Sequence, residues 1–171
     1  MAERLERDFF ERDVLAVAPE LLGKQLVRIF PDGTKGSFMI TETEAYRGKE
    51  DRACHASRGR TPRTEVMFRE GGLVYMYFIY GMYWMLNVVT GVVDMPQAVL
   101  IRGIREAGGP GRLTRLLQLD REFYGEDLVT SSRLWVEGGS RIHAYESTPR
   151  IGISYAGDPW KELPWRFLIK S

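Results

Sequence analysis

Cysteine and histidine are scarce in this sequence: among its 171 residues, Cys54 is the single cysteine, and His55 and His143 are the only histidines. One cysteine cannot form an internal disulfide, and such usage is typical of proteins from a reducing compartment. Paired-cysteine metal motifs are absent, so the sequence offers no structural zinc site and we expect no bound metal.

An apolar leader is also missing, because charged residues begin at Glu3. The stretch at residues 71–93 carries no charge and is long enough in principle to cross a bilayer. Tyrosines and Asn87 occupy its middle, however, where a membrane span favours leucine and valine, and glycines divide it into pieces of strand length. We therefore interpret this stretch as buried strands, and we expect a cytoplasmic protein with no membrane partner.

Acidic and basic residues nearly balance over the chain, whose net charge is +1, but they are unevenly distributed. Residues 51–115 hold nine arginines against five acids and no lysine, whereas residues 1–50 hold eight bases against ten acids. The planar guanidinium group, with its fork of donors, is well suited to binding phosphate. This excess of arginine is compatible with a nucleic-acid surface and also with scattered, solvated charge.

Helices are predicted near the start and in the second half of the chain. Residues 9–22 have helical spacing, with Pro19 placed to open a second short helix, and a glycine-rich break precedes a helix over residues 112–119. Between them, residues 47–71 form a long polar loop, and a loop of this length inside a compact domain more often carries function than not.

Strands account for most of the remaining chain. They are predicted for residues 24–30, 37–46, 73–80, 85–93, 97–104 and 166–169. Pro31-Asp32-Gly33 and Gly81-Met82 mark two hairpin turns. The pattern predicts a single α+β domain over residues 1–171 with a largely antiparallel sheet.

One segment places two carboxylates and an aromatic ring on the same side of a strand. Side chains alternate along ITETEAY, residues 40–46, so Glu42, Glu44 and Tyr46 share one face. Such a face is either solvated at a sheet edge or lines a cleft. In a cleft, a carboxylate can activate water beside a ring that stacks on a planar substrate.

A second segment is rich in tyrosine. Strand alternation places Tyr75 and Tyr77 on one face and Tyr80 on the other. Each buried tyrosine needs a hydrogen-bond partner, so a tyrosine-rich core is one interpretation and a platform that stacks on bases is another. The hairpin tip around Gly81 also carries side chains that can push between base steps as wedges: Tyr80, Met82 and Tyr83.

The polar loop supplies a cluster of donors that suit phosphate. Arg58, Arg60 and Arg63 occur there with no acid between Ser57 and Thr64. His55, in the same loop, fits a base-stacking ring, an acid–base group or an ordinary surface histidine. Further along, Arg102 interrupts an apolar strand, so it lies either on the solvent face or in a cleft with a carboxylate partner.

Taken together, these segments resemble the alkyladenine (3-methyladenine) DNA glycosylase family. The matching strings follow the order of that family and cover most of the chain: LLGKQLVR (21–28), ITETEAYRGKEDRACHASRGRTPRTEVMF (40–68), VYMYFIYGMYWMLNVV (74–89), AVLIRGIREAGGPGRLTRLL (98–117) and RIGISYAGD (150–158). The region between residues 119 and 150 matches poorly, and no role is carried over to it. The resemblance implies a compact α+β domain with a curved sheet, peripheral helices and a protruding β-hairpin.

The resemblance also implies roles for the catalytic and base-binding residues. Glu44 would be the general base that activates the attacking water, and Arg102 would hold that water and the sugar-phosphate. The extruded base would lie between Tyr46, His55 and Tyr77, with the His55 backbone amide also reading the purine edge. Asn87 would lie at the pocket floor, where it clashes with the 2-amino group of guanine.

The same resemblance implies contacts with duplex DNA. Tyr80 would fill the gap left by the extruded nucleotide, backed by Met82 and Tyr83. The arginine cluster of the polar loop itself predicts the backbone contacts, from Arg58, Arg60 and Arg63.

The implied activity is that of a DNA repair enzyme in base excision repair. Such an enzyme flips alkylated or deaminated purines out of double-stranded DNA and hydrolyses the N-glycosidic bond, leaving an abasic site. All five lysines lie outside residues 51–115, and none is assigned as a Schiff-base nucleophile. We therefore expect a monofunctional hydrolase that needs no cofactor and binds damaged DNA as a monomer.

Two other functions compete with this hypothesis. A non-enzymatic damage-binding module would need the rings and arginines but not Glu44. A hydrolase of free nucleosides or sugars could use Glu42 and Glu44 as a carboxylate pair, but it would leave the arginine loop and the tyrosine wedge without a role.

Overall fold

A strand of 13 residues, β2, organises the fold. The computed structural model describes residues 2–170. Its helices are α1 (Arg7–Phe10), α2 (Val14–Glu20) and α3 (Pro110–Leu116). Its strands are β1 (Gln25–Ile29), β2 (Lys35–Arg47), β3 (Val74–Ile79), β4 (Tyr83–Thr90), β5 (Gln97–Ile104), β6 (Ala107–Gly108), β7 (Leu134–Glu137), β8 (Tyr145–Thr148) and β9 (Arg166–Ile169). Short 3-10 helices cover His55–Arg58, Glu65–Phe68, Arg121–Phe123, Ser154–Ala156 and Trp160–Glu162.

Every pairing between these strands is antiparallel, and the few helices are short. The sheet runs in the order β3-β4-β5-β2-β1-β7, with β6 on β5, and β9 pairs with both β2 and β8. This architecture confirms the predicted α+β class with a largely antiparallel sheet. The β3–β4 hairpin turns at residues 80–82, where the sequence predicted it.

Strand β2 changes partners along its length. Up to Met39 it pairs with β1, and from Ile40 onward it pairs with β5, while Glu42, Thr43 and Glu44 also pair with β9 on the other side. The register with β5 shifts around Glu42, and irregularities of this kind bend a strand and are frequent beside active sites. The carboxylate pair therefore lies on a strand whose two edges are both occupied, and not at a solvated sheet edge.

The two faces of the sheet have opposite character. One row of paired residues across strands β3, β4, β5 and β2 is apolar and fully buried: Val74, Val88, Val99 and Ala45. The neighbouring row, one residue along each strand, points to the other face: Tyr75, Asn87, Leu100 and Glu44. The first face forms the main core, and the second gathers the polar groups singled out in the sequence.

Helices α2 and α3 cover the apolar face. Their buried residues pack in one cluster with the sheet: Val14, Val17, Ala18, Leu113, Leu117, Ile40, Ala45, Val88, Val99 and Ile101. Thr43 is also fully buried on this face, and its hydroxyl donates a hydrogen bond of 2.9 Å to the carbonyl of Ala18. The hydroxyl of Thr43 thus links α2 to β2, the strand that carries Glu44.

The polar loop at residues 47–71 is anchored on the opposite face by a smaller apolar cluster. Its buried members pack against strands β3, β4 and β5: Cys54, Ala56, Val66, Met67 and Phe68 from the loop, with Leu73, Tyr75, Val89 and Ala98 from the sheet. Two 3-10 helices also lie within this loop. The loop therefore has regular structure and packs against the sheet.

Two helix predictions were wrong in their boundaries. Pro19 does not open a helix: α2 begins at Val14, where the side chain of Asp13 accepts from the amide of Leu15, and Pro19 is its penultimate residue. The helix predicted for residues 112–119 is α3, and it begins at Pro110 instead of Arg112. Proline is favoured at the first helical position because it has the required φ and lacks an amide that would need a partner there.

The uncharged stretch at residues 71–93 forms strands β3 and β4, as its glycines indicated. Across residues 2–170, no helix has the length and apolar character needed to span a membrane.

The Thr43 hydrogen bond yields a stability prediction. Thr43→Val keeps the shape and β-branching of the side chain but leaves the buried carbonyl of Ala18 without this donor. We expect the free energy of unfolding to fall by about 1–2 kcal/mol in urea denaturation. Thr41→Val is the matched control, because the Thr41 hydroxyl makes no hydrogen bond within the described part of the chain; equal losses in both variants would contradict the assigned role.

Candidate active site

A cavity of about 680 Å³ opens on the polar face of the sheet, within the size range of small-molecule sites. Strands β3, β4 and β5 form its floor. Its sides come from the loop at residues 52–63, the tip of the β3–β4 hairpin, residues 108–112 at the start of α3 and the segment 151–155. Six tyrosines and one histidine line it: Tyr46, His55, Tyr75, Tyr77, Tyr80, Tyr83 and Tyr155.

The lining carries positive charge. Five arginines contribute to it: Arg52, Arg58, Arg63, Arg102 and Arg112. No aspartate or glutamate among residues 2–170 lines the cavity. Except for Arg102, none of these arginines forms an ion pair within those residues. A concave, electropositive surface lined with aromatic rings favours a ligand that is both anionic and aromatic, such as a nucleotide.

The carboxylate of Glu44 lies directly behind this lining and has no exposed surface. Its Oε2 accepts a hydrogen bond of 2.7 Å from the amide of Ile151, and its Oε1 accepts one of 2.9 Å from the hydroxyl of Tyr46. A guanidinium nitrogen of Arg102 lies 3.8 Å from Oε1. Because Ile151, Tyr46 and Arg102 all line the cavity, the carboxylate is one side chain away from it.

Opposing influences act on the protonation of Glu44. Burial raises the pKa of its carboxyl group above the ordinary value, because desolvation disfavours the charged form. The charge of Arg102, the Ile151 amide and the Tyr46 hydroxyl favour the ionised form and limit that rise. A carboxylate whose pKa is raised is a stronger base than a solvated one, which suits the removal of a proton from water.

Glu42 holds Arg102 from the other side. Its Oε2 lies 3.2 Å from Nε of Arg102 and accepts a hydrogen bond of 2.6 Å from Nε of Arg166. Arg102 therefore has a carboxylate partner in the cleft, the second of the two alternatives that the sequence left open. Glu42 is therefore paired with two guanidinium groups, whereas Glu44 on the same strand accepts from one amide and one hydroxyl and lies near one guanidinium group.

The three rings predicted to bind the base all line the cavity: Tyr46, His55 and Tyr77. The rings of His55 and Tyr77 are in contact, with centroids 4.5 Å apart and planes inclined by 66°. Tyr46 is half-buried at the same cavity, and burial raises the pKa of its phenol well above the ordinary value. The Tyr46 hydroxyl thus stays protonated and donates to Glu44.

Asn87 lies on the cavity floor, nearly fully buried, with its amide nitrogen directed to the carbonyls of Tyr75 and Met85.

His55 is half-buried in the cavity wall, unlike an ordinary surface histidine. Its Nδ1 lies 2.7 Å from the hydroxyl of Tyr75. Burial, followed by the nearby charges of Arg63 and Arg58, lowers the pKa of His55 to about 4. The ring is therefore neutral at neutral pH.

The hairpin tip projects its side chains into solvent. Tyr80 is 79% exposed and Met82 is 61% exposed, and nothing lies within 4 Å of a side chain added at Gly81. The backbone of Tyr80 has a φ of 56°, which breaks the strand alternation. Tyr80 consequently lines the cavity beside Tyr77, so the prediction that these two residues occupy opposite faces was wrong.

Tyr83, at the base of the tip, packs against the first turn of α3. A Cβ atom added at Gly111 would overlap the ring of Tyr83, so only glycine permits this approach. The close contact fixes the base of the hairpin on the main body of the protein.

The three arginines predicted for DNA contacts are placed differently. Arg58 and Arg63 line the cavity. Arg60 lies outside the lining, where it forms ion pairs with Asp94 at 2.6 Å and Glu65 at 3.5 Å and covers the ring of Phe68.

Sequence reasoning missed a buried ion pair that supports the site. Arg150 and Asp51 have fully buried side chains and form two hydrogen bonds with each other. Arg150 also donates to the carbonyl of Ala45, and its guanidinium lies 5.0 Å from the ring of Tyr46. The pair joins the segment that delivers the Ile151 amide to the loop that leads into His55. No local pattern reveals such a contact, because its partners are 99 residues apart.

Other lining residues were also missed: Arg52, Arg112, Ile151 and Tyr155. All four lie within strings that match the family, so the resemblance carried a weak signal for each of them. Tyr155 is 65% exposed at the rim, with its hydroxyl donating to the carbonyl of Ala53 at 3.1 Å.

The buried pair gives a prediction about stability. Arg150→Met leaves the Asp51 carboxylate buried without its counter-charge, and we expect a loss of about 3–5 kcal/mol in the free energy of unfolding, measured by urea denaturation. Arg12→Met, which breaks the exposed pair with Glu20, should lose less than about 1 kcal/mol. A loss for Arg150→Met as small as that of Arg12→Met would show that the buried pair does not support the fold.

Comparisons with known proteins agree with this geometry. The family model described as methylpurine-DNA glycosylase (MPG) matches residues 8–107 and 105–171. A relative from Wolbachia sp. subsp. Brugia malayi is 47% identical over 174 residues, covering 98% of both chains. A relative from Methanocella arvoryzae is 43% identical over 187 residues, covering 98% of this chain and 92% of its own. One from Desulfitobacterium hafniense is 41% identical over 196 residues, covering 98% and 96%.

Each of these relatives bears the name "Putative 3-methyladenine DNA glycosylase". The family model and the relatives extend over nearly the whole chain, including the region between residues 119 and 150. The resemblance found in the sequence motifs is confirmed: this chain belongs to the methylpurine-DNA glycosylase family.

Proposed function

We propose that this protein is a DNA repair glycosylase that flips an alkylated or deaminated purine out of duplex DNA and hydrolyses its N-glycosidic bond. The observation that carries the proposal is the position of Glu44, a buried carboxylate directly behind an aromatic cavity that five arginines surround. Membership of the family agrees with DNA as substrate. The cavity volume of about 680 Å³ is sufficient for one nucleotide.

The extruded base would lie among the rings of Tyr46, His55 and Tyr77. An alkylated purine is cationic or electron-poor, and it interacts favourably with the electron-rich faces of aromatic rings. His55 is neutral at neutral pH because its pKa is lowered to about 4, so it does not repel a cationic base. Asn87 on the cavity floor would meet the edge of the purine and exclude the 2-amino group of guanine. Extrusion is easier for damaged or mispaired bases, which adds to selectivity.

Hydrolysis requires one proton acceptor beside the sugar. As the bond between C1′ and the base nitrogen breaks, its electron pair leaves with the base and the sugar develops oxocarbenium character. A cationic alkylated purine thereby leaves as a neutral base, and a deaminated purine leaves as an anion that takes up a proton from solvent. Water then forms a bond to C1′ and gives a proton to the carboxylate of Glu44, whose negative charge also stabilises the sugar cation. Arg102, held by Glu42, would orient the water and the adjacent phosphate.

Glu44 must become accessible for this step, because it has no exposed surface in the free protein. Its Oε1 is covered by the hydroxyl of Tyr46, and that hydroxyl is the contact which an entering base or water would displace. Catalytic hydrogen bonds commonly rearrange when a substrate binds, so the free structure is compatible with the assigned role.

The cavity favours simple hydrolysis to an abasic site. A lyase reaction would need an amine to form a Schiff base with the sugar. No lysine among residues 2–170 lines the cavity. We therefore propose a monofunctional enzyme.

Specific contacts disfavour the two competing functions. A carboxylate pair in a sugar hydrolase needs a free second carboxylate, whereas Glu42 is bound by Arg102 and Arg166. A module that only binds damage needs the rings and arginines but not a carboxylate beside the cavity.

Replacing the proposed base tests the mechanism. Glu44→Gln keeps an acceptor for the Ile151 amide but cannot take a proton, so base release from a duplex containing hypoxanthine should fall by about 100-fold or more. Affinity for an abasic duplex should change little. Alkaline cleavage reveals the abasic product, and Glu146→Gln on the exposed strand β8 is the control. Base release by Glu44→Gln at the rate of this control would remove Glu44 from its role.

Removing the wedge tests extrusion. Tyr80→Ala loses a ring whose stacking in the duplex is worth about 1–3 kcal/mol, so binding to an abasic duplex should weaken by about ten-fold. Tyr145→Ala removes another exposed tyrosine, on β8 and outside the cavity lining, and should bind normally. Unchanged affinity of Tyr80→Ala in fluorescence anisotropy would place the wedge elsewhere.

A further inference from the structure

The contact between His55 and Tyr75 determines which ring nitrogen of His55 carries a hydrogen. Nδ1 of His55 and the hydroxyl oxygen of Tyr75 are 2.7 Å apart, so one of the two groups donates to the other. The Tyr75 side chain is buried on β3, with only 2% of its surface exposed. A buried hydroxyl needs an acceptor for its proton.

The neighbours of Tyr75 decide the direction of this hydrogen bond. If Nδ1 carried the hydrogen, the Tyr75 hydroxyl would accept it and would need a second partner for its own proton. Arg63, whose charge acts on this phenol, has only donors. The Tyr124 hydroxyl is engaged by the carbonyls of Pro62 and Arg63, and the thiol of Cys54 faces the carbonyl of Pro96.

Within residues 2–170, no second group forms a hydrogen bond with the Tyr75 hydroxyl. The arrangement that satisfies both partners has Tyr75 donating to an unprotonated Nδ1. Burial also raises the pKa of the Tyr75 phenol, so this proton is present throughout the physiological range. In a neutral imidazole the single hydrogen then lies on Nε2.

The charge of His55 is fixed by its surroundings as well. The ring is partly desolvated and lies near the guanidinium groups of Arg58 and Arg63, both of which oppose protonation. Nε2 forms no hydrogen bond within residues 2–170, and His55 lines the cavity. The second nitrogen is therefore free to donate to a ligand.

We infer that Tyr75 is a positioning residue that fixes His55 as its neutral Nε2–H tautomer and so equips the cavity with one oriented N–H donor. The ligand group that this donor selects is a hydrogen-bond acceptor on the extruded nucleotide. The choice of nucleotide as ligand rests on the proposed function, whereas the tautomer is a property of the free protein.

Long-range 15N–1H NMR of the free protein tests the tautomer directly. The chain contains only two histidines, so the spectrum is simple and His143→Gln identifies the signals of His55. At pH 7, Nδ1 of His55 should have the shift of an unprotonated nitrogen and Nε2 that of a protonated one. A protonated Nδ1 in the wild-type protein would overturn the inference without the need for any variant.

Tyr75→Phe is the corresponding substitution, because it keeps the ring and removes the donor. The two nitrogen shifts should then move toward each other as both tautomers become populated, while Tyr145→Phe leaves them unchanged. An unaltered His55 spectrum in folded Tyr75→Phe would show that Tyr75 does not set the tautomer.

Kinetics connect the tautomer with the reaction. Single-turnover base release by Tyr75→Phe should slow by about two-fold or more, because only the fraction of molecules with Nε2–H then carries the donor, with Tyr145→Phe at the wild-type rate. A wild-type rate in a variant with mixed tautomers would show that the Nε2–H donor of His55 does not contribute to base release. Failure of the proposed function would look different, because Glu44→Gln would then retain base release while the His55 spectrum still showed one tautomer.

Discussion

The buried carboxylate of Glu44 is the group on which the rest of the site depends. A carboxyl group removed from water tends to become neutral, which would disable it as a base. Here the amide of Ile151 and the hydroxyl of Tyr46 each occupy one oxygen, and Arg102 lies 3.8 Å away. Two of these partners have supporting ion pairs of their own. Glu42 holds Arg102, and the ion pair of Arg150 with Asp51 holds the segment that carries Ile151.

The sheet makes this arrangement possible by separating stability from chemistry. Because side chains alternate along a strand, one face packs against α2 and α3 while the other is free to carry polar groups. Strand β2 serves both purposes within two residues, with Thr43 fastened to α2 and Glu44 directed to the cavity. The loop at residues 47–71 then covers part of the polar face through its own apolar cluster and leaves the cavity open beside the rings.

Local patterns in the sequence predicted much of the fold and some of the site. The bounds of β5 and β9 agree with the structure, and alternation alone placed Glu42, Glu44 and Tyr46 on one face. Patterns of this kind fail where the backbone leaves the regular period, as at Tyr80 with its φ of 56°. They also fail where a partner is distant in sequence. The ion pair between Arg60 and Asp94, 34 residues further along the chain, has no counterpart in the local pattern. For the same reason the Arg150–Asp51 pair could not be foreseen.

A crystal structure of the protein on a duplex tests the central assignment most directly. The duplex should carry a hypoxanthine nucleotide with fluorine at C2′, which slows cleavage by destabilising the oxocarbenium character of the sugar. The base should lie among Tyr46, His55 and Tyr77, with the ring of Tyr80 in the duplex. The Tyr46 hydroxyl should have moved away from Glu44, whose carboxylate then contacts a water beside C1′. A base that remains stacked in the duplex, or a carboxylate still closed off behind Tyr46 with the base in place, would contradict the role assigned to Glu44.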